Sequence, residues 1–347
     1  MTNSTSIGLP ALRTLQVTAP GAPPTLTEVA LREPGAGTVR ITVEACGVCH
    51  SDLLIASGKL PGSTFPITPG HEIAGRIDAL GDGVEGWQVG DRVAVGWYGG
   101  SCGRCDACRS GDGVHCPQLS IPGVAYPGGY SDFVIVPAVA LAAVPAALTT
   151  VEAAPLACAG TTVFNALRRS AARPGDTVAV LGLGGLGHLG VQFAQKMGFH
   201  TIAIARGPEK KALALELGAA HYIDSTEGDV SGALQQFGGA KVVLATATDA
   251  DAMSATVDGI GRRGELVVVG AGPQSLQLTA LQLLSGDRKV YGHSSGTAVD
   301  IQDTLRFAAQ TGVRAWIEEM PLEETAAAVA KMTSGHARFR MVVTTGR

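Results

Sequence analysis

The chain has 347 residues, and its 26 Lys and Arg against 30 Asp and Glu leave a formal net charge of −4. Such a mildly acidic surface argues against nucleic acid or an anionic membrane as the main partner, because both bind basic faces. With 46% hydrophobic and 16% charged residues, the chain is too apolar to be disordered, and its length predicts roughly two domains.

The beginning of the chain lacks the features of a targeting signal. The first basic residue is Arg13, and no charged start is followed by an apolar run. The longest apolar stretch, about 134–148, is interrupted by Pro137 and Pro145 and is too short to span a bilayer. We therefore predict a cytoplasmic protein, and we expect residues 1–10 to be loose.

The first half of the chain is predicted to form a mostly antiparallel β domain. Short β-branched segments such as 38–43 and 90–95 alternate with turns rich in Gly and Pro, which is typical of antiparallel sheets.

A cluster of four cysteines lies within this half at the spacing C-x2-C-x2-C-x7-C: Cys102, Cys105, Cys108 and Cys116. Cysteines of a cytoplasmic protein are thiols or metal ligands rather than disulfides. Four thiolates from one loop can surround zinc tetrahedrally and leave no open position. The spacing predicts a structural zinc lobe at about residues 100–117; an iron–sulfur cluster is the weaker alternative, since both ferredoxin spacings differ.

The second half alternates apolar strands with amphipathic helices from about residue 176 to 292, which predicts a parallel, doubly wound sheet. The predicted strands are 177–181, 201–205, 241–245 and 265–270, and the predicted helices are 186–197 and 208–217. A further helical stretch follows residue 294, and a final strand is predicted at 340–344.

A glycine-rich turn joins the first of these strands to its helix and consists of Gly182, Leu183, Gly184, Gly185, Leu186 and Gly187. In such a turn the first glycine permits the tight bend, the second lets the backbone approach a pyrophosphate, and the last lets helix and strand pack closely. The helix N-terminus then faces the phosphates. The turn and its flanking elements predict a dinucleotide site.

The choice of dinucleotide depends on the end of the second strand, where an NAD site usually has Asp or Glu. Here Ala205 takes that position and Arg206 follows, with Lys210 and Lys211 nearby. An arginine fork can bind a 2′-phosphate, so NADP(H) is favoured and NAD(H) remains possible. Two alternatives stay open: Arg206 points to solvent, or Glu209 repels the phosphate.

Three further candidate metal ligands lie far apart in the sequence: Cys49 in ACGVCHSD, His71 in PGHE and Cys158 in LACAG. Two thiolates and one imidazole give zinc an open fourth position, the arrangement of a catalytic site. Spacing alone does not bring these residues together.

The order of motifs along nearly the whole chain resembles the zinc-dependent medium-chain alcohol dehydrogenases, in particular the cinnamyl-alcohol-dehydrogenase-like or bacterial branch. The resemblance implies an α/β protein with two domains. A GroES-like catalytic domain would comprise residues 1–155 and 295–347, and a Rossmann domain residues 156–294. It also implies two zinc ions per chain and hydride transfer between a nicotinamide cofactor and a small alcohol, aldehyde or ketone. A homodimer or homotetramer joined at a sheet edge near 290–292 is implied as well.

The same resemblance implies roles at the metal. Cys49, His71 and Cys158 would bind the catalytic zinc, and Glu72 would lie behind it as an occasional ligand. Asp52 would accept a hydrogen bond from the His71 ring. Ser51 would contact the substrate oxygen and begin a proton relay.

The resemblance implies further contacts with the cofactor. His50 and Arg340 would lie near its pyrophosphate, Thr162 would contact the nicotinamide, and Val269 would belong to the same binding surface. One departure concerns Leu54, because many relatives have a histidine there that passes the proton to solvent. Cys46 is left over and is interpreted as a small buried hydrophobic residue.

Three alternatives to this function are considered. A polyol dehydrogenase commonly lacks the complete cysteine lobe, and a zinc-free quinone or enone reductase lacks the catalytic ligands. A non-catalytic zinc- or nucleotide-binding relative would keep only the structural metal.

Overall fold

The computed structural model describes residues 12–347, so the expectation for residues 1–10 lies outside the described part. The strands are β1 (Leu12–Gln16), β2 (Thr25–Val29), β3 (Thr38–Gly47), β4 (Glu72–Leu80), β5 (Arg92–Val95), β6 (Phe133–Pro137), β7 (Ala142–Ala143), β8 (Thr177–Leu181), β9 (His200–Ala205), β10 (His221–Asp224), β11 (Ala240–Ala245), β12 (Ile260–Val268), β13 (Lys289–Gly292), β14 (Ile317–Pro321) and β15 (Arg340–Thr344).

The α-helices are short and lie mostly in the second half of the chain. They are α1 (His50–Ala56), α2 (Asp106–Arg109), α3 (Thr150–Pro155), α4 (Thr161–Arg168), α5 (Gly187–Lys196), α6 (Lys211–Glu216), α7 (Val230–Gln235), α8 (Ala250–Ser254), α9 (Ala280–Leu284), α10 (Ala298–Thr311) and α11 (Thr325–Thr333). Leu156–Gly160 forms a π-helical segment between α3 and α4. Between residues 12 and 347, no helix is long and apolar enough to cross a membrane.

Strands β3 to β7, β14 and β15 form one sheet, in the order β14-β15-β3-β4-β5-β7 with β6 paired to β3. All of its pairings are antiparallel except β14 with β15, so the prediction of a mostly antiparallel domain is confirmed. Strands β1 and β2 form a separate antiparallel pair.

Strands β8 to β13 form a parallel sheet in the order β10-β9-β8-β11-β12-β13. Numbered within the sheet, this is the order 3-2-1-4-5-6 of a doubly wound dinucleotide-binding fold. The connection reverses between β8 and β11, and ligands of such sheets bind at this reversal, beyond the carboxyl ends of the strands. The strands thus divide between the two sheets near residues 155 and 295, whereas the exact domain boundaries stay a prediction.

Most predicted segments correspond to observed elements, with two differences. The helix predicted at 208–217 begins as a 3-10 turn, Pro208–Lys210, and becomes α-helical only at Lys211. The reason is local, because Gly207 has φ +86° and proline follows it. Strand β12 begins at Ile260 rather than at residue 265, because its first residue pairs with Ala240 before the register shifts.

Candidate active site

The candidate metal ligands meet where three segments of the chain converge. Cys49 caps α1, His71 immediately precedes β4, and Cys158 lies in the π-helical segment. Together with Glu72 they are buried, and each contributes one ligand atom to a group in which all four atoms lie within 4.8 Å of one another. The Cys158 Sγ is 3.4 Å from His71 Nε2. Folding thus brings together residues that the sequence keeps far apart.

The ionisation of the two thiols suits a cation. A hydrogen bond from Cys158 lowers the pKa of Cys49 well below its usual range, although burial opposes this effect. The same hydrogen bond, together with burial, raises the pKa of Cys158. Zinc binds thiolates and neutral imidazole in tetrahedral sites, and its binding displaces the thiol proton. The donor set therefore fits a zinc ion with three protein ligands and one open position.

Asp52 holds the imidazole in place from behind. Its Oδ1 accepts hydrogen bonds from His71 Nδ1 at 2.8 Å and from the Gly70 N–H at 3.2 Å. Its Oδ2 accepts from the Cys49 N–H at 3.0 Å and from the Tyr130 hydroxyl at 2.7 Å. Burial and the Asp52 carboxylate raise the pKa of Tyr130 well above its usual range, so its hydroxyl remains a donor. This network leaves Nε2 of the ring for a metal.

Arg340 extends from the four candidate ligands Cys49, His71, Glu72 and Cys158 (the metal cluster) to the glycine-rich turn. Its Nη2 donates to Glu72 Oε1 and Oε2 at 2.6 and 2.7 Å and to the Val48 carbonyl at 3.1 Å. Burial raises the pKa of Glu72 to about 7, although the guanidinium opposes this shift. On the other side, a Cβ placed on Gly185 would lie 2.9 Å from Nη1. The guanidinium therefore lies beside the turn that is predicted to bind a pyrophosphate.

The glycines of the turn meet the requirements of a phosphate-binding loop. Gly182 has φ +96°, a conformation that favours glycine. A Cβ on Gly187 would collide with the Gly182 carbonyl, whereas one on Gly184 would meet no described atom within 4 Å. Leu186 packs against the core. Backbone is therefore open to a ligand at Gly184, and helix and strand are in close contact at Gly187.

The other predicted cofactor residues lie on α1, on α4 and directly after β12. Thr162 is buried in α4 and donates to the Cys158 carbonyl at 2.8 Å. Val269 follows β12, and its N–H donates to the Ala245 carbonyl at 3.0 Å. His50 is exposed and Ser51 is half-buried, both in the first turn of α1.

The end of β9 is the predicted ribose corner. Ala205 is buried, whereas Arg206 and Lys211 are exposed. A carboxylate that the sequence analysis did not consider, Asp224, lies at the end of neighbouring β10 in register with Ala205. It accepts a hydrogen bond from the Gly207 N–H at 2.9 Å. The pairing of β10 with β9 is a tertiary contact, so local sequence gave no signal for this residue.

One aromatic ring packs directly against a candidate metal ligand. The Trp97 ring packs edge-on against His71, with a centroid distance of 5.1 Å. Tyr126 is held by a hydrogen bond from its hydroxyl to the Gly99 carbonyl at 2.8 Å. Leu54, on α1, is 48% exposed and carries no titratable group. Cys46 is completely buried in the hydrophobic core, as interpreted from the sequence.

A second thiol cluster lies in the loop around α2 and consists of Cys102, Cys105, Cys108 and Cys116. Neighbouring Sγ atoms are 3.5 to 3.9 Å apart. Backbone N–H groups of Arg104 and Cys105 lower the pKa of Cys102 to about 6. Although a hydrogen bond from the Cys108 N–H opposes the shift, desolvation and the neighbouring thiols raise the pKa of Cys105 to about 11. The four sulfurs therefore share protons that zinc binding would displace. Four sulfurs grouped this closely suit a closed tetrahedral zinc site.

Comparison with known proteins agrees with this geometry. Residues 35–146 match the family described as "Alcohol dehydrogenase GroES-like domain", and residues 185–336 match "Zinc-binding dehydrogenase". The chain is 42% identical to alcohol dehydrogenase notN of Aspergillus sp. (strain MF297-2), over 93% of this chain and 95% of that protein. The chain belongs to the zinc-binding alcohol dehydrogenase family.

Solved structures of this family superpose on nearly the whole chain. A cinnamyl alcohol dehydrogenase from Sorghum bicolor is 30% identical with a TM-score of 0.87, over 96% of this chain and 97% of that one. The cinnamyl alcohol dehydrogenase from Helicobacter pylori complexed with NADP(H) is 26% identical with a TM-score of 0.86, over the same shares. As a member of this family, the chain is an oxidoreductase with zinc and a nicotinamide cofactor, and a non-catalytic role is not favoured.

Proposed function

We propose that the chain interconverts small alcohols and the corresponding aldehydes or ketones at the Cys49–His71–Cys158 cluster, with NADP(H) as the preferred cofactor. The observation that carries this proposal is the convergence of two thiols and one imidazole on one buried point, beside a glycine-rich turn. Three such ligands leave zinc the open position that a substrate oxygen needs.

When bound, zinc would supply Lewis acidity toward the substrate oxygen, and a nicotinamide cofactor would carry the hydride. The residues of the chain prepare this chemistry. Asp52 fixes the His71 ring, and Trp97 shields one side of it from water. Ser51, in the first turn of α1, hands on the hydroxyl proton of the substrate. Since Leu54 replaces the usual imidazole, the proton leaves by a route other than this side chain.

The preference for NADP(H) rests on the residues that follow β9. Arg206 is exposed, and no ion pair involving it is found among residues 12–347, so its guanidinium is free to bind a 2′-phosphate. Asp224 already accepts three hydrogen bonds through Oδ1, from Gly207 and twice from Thr226. These bonds tie Oδ1 to the turn after β9, whereas Oδ2 has no hydrogen-bond partner among the described residues.

The cofactor proposal predicts the outcome of one substitution. A charge-assisted hydrogen bond is worth about 1.5–3 kcal/mol, and about 1.4 kcal/mol corresponds to tenfold. Wild-type kcat/KM should therefore be at least about tenfold higher with NADPH than with NADH. Arg206→Ala should remove most of this difference and leave NADH turnover nearly unchanged, with Lys196→Ala as a control of equal charge on α5. A wild-type preference for NADH would contradict the proposal.

We further propose a second, structural zinc at the four cysteines of the α2 loop.

We also propose assembly into a homodimer or homotetramer through the edge of the parallel sheet. Strand β13 forms this edge, and α9 beside it exposes Leu281 and Leu284 by 71% and 78%. Exposed apolar side chains next to an unpaired strand are typical of an interface.

A screen of NADPH and NADH oxidation across aromatic and aliphatic aldehydes and ketones tests the proposed activity. We expect turnover that is lost when a chelator removes zinc and returns when zinc is added. Turnover that persists in protein shown to be free of metal would contradict a zinc-dependent reaction.

A further inference from the structure

His188 is a buried histidine to which the reaction described above assigns no role. It is the second residue of α5, directly after the glycine-rich turn, and its side chain is fully buried. Its Nδ1 lies 3.0 Å from the carbonyl oxygen of Gly184, the glycine whose backbone is open to a ligand. Its Nε2 lies 3.2 Å from the backbone nitrogen of Trp316.

These two partners fix the tautomer of the ring. A carbonyl oxygen can only accept a hydrogen bond, so Nδ1 carries the proton and donates to Gly184. A backbone N–H can only donate, so Nε2 is the acceptor for Trp316. Burial lowers the pKa of His188 to about 3, which keeps the ring neutral at any pH at which the enzyme works.

The hydrogen bond between His188 and Trp316 connects the imidazole ring with Arg340. The Trp316 carbonyl accepts hydrogen bonds from the N–H groups of Phe339 and Arg340, both at 2.9 Å. The Phe339 ring stacks on the imidazole, with centroids 4.8 Å apart and an interplanar angle of 18°. A continuous path of hydrogen bonds and stacking therefore runs from Gly184 through His188 to the backbone of Arg340.

We propose that His188 is a positioning residue for the cofactor, which holds the carbonyl of Gly184 and the backbone of Arg340 in the relative position that a pyrophosphate requires. The inference rests on the proposed binding of a nicotinamide dinucleotide at this turn. His188 itself contacts neither substrate nor cofactor in this account. It aligns two groups that belong to different sheets and that a pyrophosphate needs at the same time.

The neighbouring Gln192 supplies a matched control. One turn along α5, its amide pairs with the backbone of Arg314 through Nε2 at 2.9 Å and Oε1 at 3.2 Å. Gln192 thus joins the same helix to the same C-terminal segment. Its Nε2 also donates to the backbone carbonyl of His188 at 3.1 Å, but none of its hydrogen bonds involves the His188 ring or Gly184. Gln192→Met should weaken the attachment of α5 to the C-terminal segment without disturbing the glycine-rich turn.

The test measures the Kd for NADPH by fluorescence titration without substrate, together with the Tm, zinc content and steady-state kinetics of each purified variant. His188→Leu removes both hydrogen bonds and should raise Kd and cofactor KM by about tenfold. The KM for the aldehyde and the zinc content should both stay within about twofold of the wild-type values. His188→Asn keeps a donor near the Nδ1 position and should recover part of the affinity.

A merely structural role would give a different pattern. Gln192→Met and His188→Leu would then lower the Tm and leave the NADPH Kd at the wild-type value, which would overturn the inference. His188→Phe keeps the stacking on Phe339 but removes both hydrogen bonds, so it serves if the leucine variant does not fold. A wild-type Kd in that variant would overturn the inference equally.

Failure of the underlying function has its own signature. Wild-type protein that binds neither NADPH nor NADH would overturn both the proposed function and this inference. Wild-type protein that binds NADPH and reduces aldehydes, beside His188 variants of unchanged affinity, would overturn the inference alone.

Discussion

Asp52 shows how a single buried carboxylate organises the metal site. It is 3% exposed, and its two oxygens accept hydrogen bonds from two backbone N–H groups, one imidazole and one phenol. Carboxylates that orient a ligating histidine fix its tautomer and raise its basicity. The position of the ring in the cluster therefore depends on a residue that does not itself bind the metal.

Replacing Asp52 with Asn should weaken the site without removing a ligand. An amide presents an NH2 group to part of this donor set, so at least one donor loses its acceptor. We expect zinc affinity, measured against a competing chelator, and kcat/KM to fall by about 10- to 100-fold. Tyr130→Phe removes one hydrogen bond but keeps the carboxylate, so its effect should be clearly smaller. Wild-type zinc affinity in Asp52→Asn would show that the carboxylate does not support the ring.

Sequence reasoning identified the candidate ligands of the cluster because short motifs surround them. Cys49 and Asp52 lie three residues apart, and their contact is local, within the first turn of α1. Tyr130 and His188 were missed for a physical reason. Tyr130 and Asp52 are 78 positions apart in the sequence, and Trp316 and His188 are 128 positions apart. Only tertiary packing therefore creates these contacts.

The exposed edge of the parallel sheet is the main unpartnered feature at the scale of elements. Strand β13 pairs with β12 alone within residues 12–347, and α9 leads into it with Leu281 and Leu284 exposed. Such an edge is prone to association unless it is covered. A second copy of the chain would cover both the strand and the helix.

The double substitution Leu281→Asp and Leu284→Asp should therefore reduce the oligomer to a smaller species. Light scattering of the purified protein measures the mass, and circular dichroism checks that the fold is unchanged. Leu215→Asp is a suitable control, because Leu215 is 45% exposed on α6. This helix packs against β10, the strand at the opposite edge of the parallel sheet. An unchanged mass in the double variant, with an oligomeric wild type, would place the interface elsewhere.

At this scale the sequence predicted periodic elements better than irregular ones. Strands β8 and β15 have the predicted bounds, because each is a short apolar run between clear turn signals. The π-helical segment that carries Cys158 has no sequence signal of this kind. Pro155 ends α3 directly before it, and α10 and α4 pack around it.

The two sheets share one core and one chain of polar contacts. A continuous cluster of buried residues includes Ala45 and Ala74 of the antiparallel sheet and Val178 and Leu244 of the parallel sheet. Arg340 connects Glu72 with the glycine-rich turn across the same boundary. The metal cluster and the dinucleotide turn are therefore neighbours in a single packed structure, as hydride transfer requires.

The two thiol clusters should differ in what they do for the whole molecule. We propose a catalytic zinc at Cys49, His71 and Cys158, and a structural zinc at the four cysteines of the α2 loop. A structural zinc contributes directly to folding free energy, whereas a catalytic zinc supports turnover. A serine in each cluster separates these contributions.

The most direct test is the zinc content per chain of Cys158→Ser, measured by elemental analysis on the same samples as turnover. We predict two zinc ions in the wild type, and one in this variant with a nearly unchanged Tm and no measurable turnover. Cys105→Ser, the matched control, should also lose one zinc but with a clearly lower Tm. Near-wild-type turnover and two zinc ions in Cys158→Ser would contradict the assignment of the catalytic metal.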